Sequence, residues 1–187
     1  MIRSRNYLQI IFILLFFICP PAHTWATSDK IDLLDAVDKD DISQVKTLIA
    51  AKPDVNARTS DGTTALILAS QMGNKEIVQA LIAAGADVNA KRNNGLTALM
   101  MATIHNHQEL VKTLIAAGAE VNARTVNGLT ALMMASKLDR REAVKELITA
   151  KADVSAKTEI GLTALKMASD QGHQEVIELL KKAGAAD

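Results

Sequence analysis

The sequence predicts an all-α repeat solenoid: five stacked 33-residue helix–turn–helix copies joined through β-turn or hairpin tips. Three observations carry this. The octapeptide Gly-Leu-Thr-Ala-Leu-Met-Met-Ala stands at Gly95 to Ala102 and again, unchanged, at Gly128 to Ala135. Gly62, Gly95, Gly128 and Gly161 fall in one register with a spacing of 33. Between successive glycines lie two short apolar-periodic segments, such as Thr64 to Met72 and Lys75 to Ala84, split by a glycine or an equivalent turn former. A fixed period of this length marks a stacked array, because one copy alone cannot bury its apolar face.

The copies run, in order, over about 29–61, 62–94, 95–127, 128–160 and 161–187, within a folded region of 27–187. Each of the last four opens on Gly-x-Thr-Ala-Leu, with the alanine at 69, 102, 135 or 168 following three residues after the leucine. Threonines 64, 97, 130 and 163 are suited to cap the first helix, the side-chain oxygen accepting from an otherwise orphan N–H. Gly85, Gly118 and Gly184 close the second helix at the left-handed C′ position. Lys151 occupies that position in the fourth copy, at a cost of about 1 kcal/mol if its backbone is left-handed. Helices of nine or ten residues are too short to be stable alone in water. Stacking through Leu66, Leu81, Ile82 and their counterparts must therefore supply the core.

The two ends differ from the middle. Asp35 stands where Leu68, Met101, Met134 and Met167 stand, and Gln44 where Ile77 and Leu110 stand, so 29–61 reads as an N-terminal cap. Lys166 and Lys181 replace apolar residues of the inner copies, so 161–187 reads as a C-terminal cap with a polar outer face. These ends predict a complete array rather than a piece of a longer one.

The period, the Gly-x-Thr-x-Leu start, the Gly-x-x-Glu turn before the second helix and the Gly-Ala-Asp-Val-Asn-Ala exit together resemble the ankyrin-repeat family, over essentially all of 29–187. This chain departs from the family's Thr-Pro-Leu-His-x-Ala signature. Alanine replaces the proline in every copy, and Ile67, Met100, Met133 and Lys166 replace the histidine. The hydrogen bonds expected of that histidine are absent, and apolar packing must take their place.

Residues 1–26 form a leader. Arg3 and Arg5 precede an unbroken apolar run from Ile10 to Cys19, then Pro20-Pro21, then Thr24-Trp25-Ala26, which predicts a secretory signal peptide cleaved after Ala26. An uncleaved anchor is the alternative, but Tyr7 to Cys19 is 13 residues, short of the roughly 18 needed to span a bilayer. A lipoprotein site would need small residues before Cys19, where Phe16, Phe17 and Ile18 stand. The expected location is the periplasm or the outside of the cell. Cleavage removes two arginines and the only cysteine, leaving 19 basic against 21 acidic residues. This excludes a general nucleic-acid footprint, insertion of the mature chain in a membrane, disulfides and a cysteine nucleophile.

No residue pattern asks for catalysis, a cofactor or a resident metal. His107 and His173 share one register two copies apart, too far to share an ion, so only His105 and His107 could coordinate together. Met100, Met101, Met133, Met134 and Met167 interchange with Ile67 and Leu68, as core residues do, rather than forming a copper site. Glu76, Glu109, Glu142 and Glu175 recur with the repeat and are poor candidates for acid–base work.

What the repeat leaves free points to partners. The resemblance implies contact through the concave face: the turn tips and the exposed edge of the first helix. Arg58, Lys91, Arg124 and Lys157 make a basic ladder, extended by Arg92. The family's following aspartate is replaced by Thr59, Arg92, Thr125 and Thr158, which predicts a ladder without its nearest counter-charges. Beside it run Leu96, Leu129 and Leu162, either exposed or folded onto neighbouring turns, and along the helix edge Ile104, His105, Lys137 and Leu138. These residues predict a monomeric, exported, non-enzymatic adaptor, inhibitor or protective partner that grips a protein with an acidic surface. A metal-handling protein and a spacer without a specific partner are the alternatives.

Overall fold

The computed structural model describes residues 33–51 and 54–186; the leader, its cleavage site and the first residues of the N-terminal copy lie outside them. Ten helices and no strand occupy the described residues, which makes the fold an all-α repeat solenoid. In chain order they are α1 (33–38), α2 (Ile42–Ala50), α3 (Ala65–Met72), α4 (Lys75–Ala83), α5 (Ala98–Ile104), α6 (Gln108–Ala116), α7 (Ala131–Lys137), α8 (Arg141–Thr149), α9 (Ala164–Gln171) and α10 (Gln174–Lys182). The inner helices α3, α5, α7 and α9 stack in sequence, and the outer helices α2, α4, α6, α8 and α10 form a second row behind them.

Every inner helix from α3 on starts on the threonine expected. Thr64, Thr97 and Thr130 accept from the N–H of Ile67, Met100 and Met133 at 3.3 Å, and Thr163 from Lys166 at 3.1 Å. Between the two helices of a pair the chain must turn through a left-handed residue. Gly73 and Gly172 do so in two pairs, while Asp40, Asn106 and Asp139 do so in the other three with φ between 54° and 62°. Asp and Asn enter this region more readily than other side-chain-bearing residues, which is why these three positions survive without glycine.

Lys151 has no such excuse. Its φ is 66°, in the place that Gly85, Gly118 and Gly184 hold at φ of 88° to 94°. We expect Lys151→Gly to raise the unfolding free energy by about 1 kcal/mol in urea denaturation, the left-handed penalty exceeding the entropy that glycine adds to the unfolded chain.

The core is one continuous apolar cluster threading all the pairs. Ile67, Met100 and Met133, which take the family histidine's place, are 0–1% exposed, so apolar packing fills that position. Hydrogen bonds between copies come from elsewhere. His107 and His173 approach the Gln71 and Lys137 carbonyls through Nε2 at 3.0 and 3.1 Å, and Arg140 donates from Nη2 to the Ile104 carbonyl at 3.1 Å. In the exit loops Asn56, Asn89 and Asn122 each accept from the following copy's N–H, at Asp87, Glu120 and Asp153, over 2.7–2.8 Å. Each also donates from Nδ2, to the carbonyls of Gly85, Gly118 and Lys151. His107 and His173 thus act as ties between layers.

On the outer row Lys46–Glu76, Lys75–Glu109, Lys112–Glu146 and Arg141–Glu175 link successive helices, while Glu142 pairs with Lys145. The recurring glutamates are therefore surface ion-pair partners, each contributing little to stability. Asp35, Gln44, Lys166 and Lys181 are exposed, as expected at the two ends.

Candidate functional site

Four turn tips project from the inner row, and each is closed the same way. The N–H of Thr59, Arg92, Thr125 and Thr158 donates to the carbonyl of Thr63, Leu96, Leu129 and Leu162 over 2.8–3.0 Å. Adjacent tips are also joined by backbone bonds, from Asn93, Val126 and Glu159 to the carbonyls of Asp61, Asn94 and Asn127. The tips thus form one continuous, backbone-tied row beside the stacked inner helices.

The basic ladder is largely consumed within it. Arg58 donates through Nη2 to the Lys91 carbonyl, and Arg124 to the Lys157 carbonyl, so each arginine ties its tip to the next rung. Lys91 lies 3.3 Å from the Glu120 carboxylate; Arg92 lies 3.7 Å from Asp61 and donates to Thr63 Oγ1 at 2.7 Å. The expectation of cations without counter-charges is corrected for Lys91 and Arg92, which meet carboxylates of the next exit loop and of the preceding tip, while Arg58 and Arg124 are held by carbonyls rather than by a counter-charge. Lys157 alone among the five has a side chain that no other described group engages.

Asp61 is held well below the usual carboxylate range, at about 2, by hydrogen bonds from the Thr59 and Thr63 hydroxyls and the Thr63 N–H, with the Arg92 charge adding a smaller share. A folded-state value below the unfolded 3.8 means the contribution is fully present above about pH 4 and is lost as pH falls through 2. The melting-temperature difference between the wild type and Asp61→Asn should therefore shrink between pH 5 and pH 2 in thermal scans.

The remaining expected site residues divide by burial. Leu96, Leu129, Leu162 and Ile104 are half-buried and pack on the core, so the turn leucines both fold down and keep part of their surface outward. His105, Lys137 and Leu138 are exposed. Lys137, Leu129 and Leu162 are brought together in an open cleft of about 440 Å³ between the tips and the inner helices, completed by Asn127, Thr158, Glu159, Ile160 and Met167. Ile104 and His105 lie on the neighbouring pair and do not line it.

Sequence reasoning missed three residues on this face. The exposed large apolar side chains among the described residues are Met72, Val126, Leu138 and Ile160, the last 82% exposed. All four belong to it: Met72 and Leu138 follow or end an inner helix, Val126 and Ile160 sit on tips. The signal was available in register, since Val126 stands where Asn93 does and Ile160 where Asn94 and Asn127 do.

A family model described as ankyrin repeats (3 copies) matches residues 33–125 and 122–187. The chain belongs to the ankyrin-repeat family. Its members are generally protein–protein interaction modules and typically not enzymes. A search of curated proteins finds no match. Among the described residues of this ankyrin-repeat chain no group of three or more His, Cys, Asp or Glu gathers where it could hold a metal ion. His105 and His107 stack with ring centroids 6.1 Å apart, and His107 Nε2 is already engaged by Gln71. No described helix is long and apolar enough to cross a membrane.

Proposed function

We propose that this protein is an exported ankyrin-repeat adaptor, inhibitor or protective partner, which binds another protein through its turn tips and the edges of its inner helices. One observation carries the reading: Met72, Val126, Leu138 and Ile160, the large apolar side chains left exposed among the described residues, all fall on that face. Apolar anchors ringed by polar groups are the usual makings of an interface. Its backbone ties make the face rigid, so binding orders few groups and loses little entropy. Lys137 and Lys157 offer the free cations for an acidic partner surface, and the chain acts as a monomer in the periplasm or outside the cell.

The test is capture from the native exported fraction by the wild type and by a variant carrying Met72→Ser, Val126→Ser, Leu138→Ser and Ile160→Ser. A discrete protein enriched by the wild type and lost with the variant, at unchanged helical circular dichroism and melting temperature, supports the proposal; equal recovery removes this face from it. Export is tested separately by the mature N-terminus, expected at Thr27.

A further inference from the structure

On the reading that this face binds a protein, we infer that the cleft at its C-terminal end takes an extended peptide segment in which one apolar side chain stands between an acidic and a basic residue. The floor is apolar. Leu129 and Leu162 are half-buried, Met167 is 8% exposed, and Ile160 stands over them from the tip. About 440 Å³ lies within the range of small-ligand sites, roughly 300–1,000 Å³, which leaves room for one large apolar side chain.

The rim carries one side chain of each charge. Lys137 closes the inner helix α7, and Glu159 lies on the tip. No hydrogen bond or ion pair with the described residues engages either side chain, in contrast to Arg58, Lys91, Arg92 and Arg124, whose charged groups are held within the array. A segment covering the floor strips water from both. An ammonium so desolvated is compensated best by an anion placed against it, and the carboxylate best by a cation. The occupant that satisfies all three demands has an apolar side chain in the cleft, a carboxylate towards Lys137 and a cation towards Glu159. Such complementarity also fixes the direction in which the segment lies.

The test is selection of a phage-displayed random peptide library on the full chain, purified from expression with its own leader. Selected peptides should share an apolar residue flanked by an acid on one side and a base on the other. A synthetic peptide of that pattern should lose at least tenfold in affinity on Lys137→Glu and on Ile160→Ser, and replacing its acid by lysine should restore binding to Lys137→Glu. That charge swap succeeds only if the variant is folded. Peptides without the pattern, insensitive to Lys137→Glu but lost on His105→Glu, would overturn this inference while the wider binding face stands. A library yielding nothing sensitive to any of the three variants would remove both. Self-association of the chain, reversed by Ile160→Ser, would assign the cleft to a second copy and overturn the peptide assignment.

Discussion

Leu132→Ala lowers the free energy of unfolding by about 3 kcal/mol, within the range for a leucine truncated in a packed core. Leu132 is 1% exposed on α7, which stacks on α5 before it and α9 after it and packs on its own partner α8. The lost methyl groups leave a void that helices on three sides must close, and short helices tied at both ends have little room to move. Because each pair of an array contacts only its neighbours, a defect in the middle weakens coupling in both directions. The urea unfolding curve should therefore move to a lower midpoint and also broaden. Leu138→Ala, only six residues away but 38% exposed, should change stability by no more than about 0.5 kcal/mol.

Gly95→Ala should cost about 3 kcal/mol, part of it for a reason outside the residue's own torsions. At φ of 86° a side-chain-bearing residue already loses about 1–2 kcal/mol. A Cβ there would also sit 2.6 Å from the Thr125 Cα, so the next tip would have to shift away and strain the backbone bond between Val126 and Asn94. Gly161 separates the two effects. Its φ is 81°, and an added Cβ meets nothing within 4 Å, so Gly161→Ala should lose the torsional part alone. Chemical denaturation of the two variants side by side measures the difference, which is the value of close approach between tips.

Much of the fold was legible because the repeat states it several times. A threonine that recurs at 64, 97, 130 and 163 ahead of an apolar run can scarcely be anything but a cap, and the four recurring glycines announce tips needing positive φ. Lys151 was readable as strained because its register partners are glycines. The candidate face was harder to read. Arg58 and Arg124 looked like free cations, since no local pattern reveals that a long side chain turns back to a carbonyl 33 residues ahead. Glu120 and Asp61 are not sequence neighbours of the cations they pair with, so the missing aspartate suggested a vacancy that the fold fills by stacking. Val126 and Ile160 carried a readable signal, an apolar residue where the other tips hold Ser60, Asn93 and Glu159 or Asp61, Asn94 and Asn127.

Site-specific photocrosslinking tests the claim that the tip-and-inner-helix face grips a protein most directly. A photoreactive amino acid would be placed, one at a time, at Val126, Leu138 and Ile160, and at Gln79 on the exposed side of the outer helix α4, in cells that produce the protein. We predict one adduct of the same partner mass from all three face positions and none from Gln79. An adduct from Gln79 alone, or none from any face position, would contradict it.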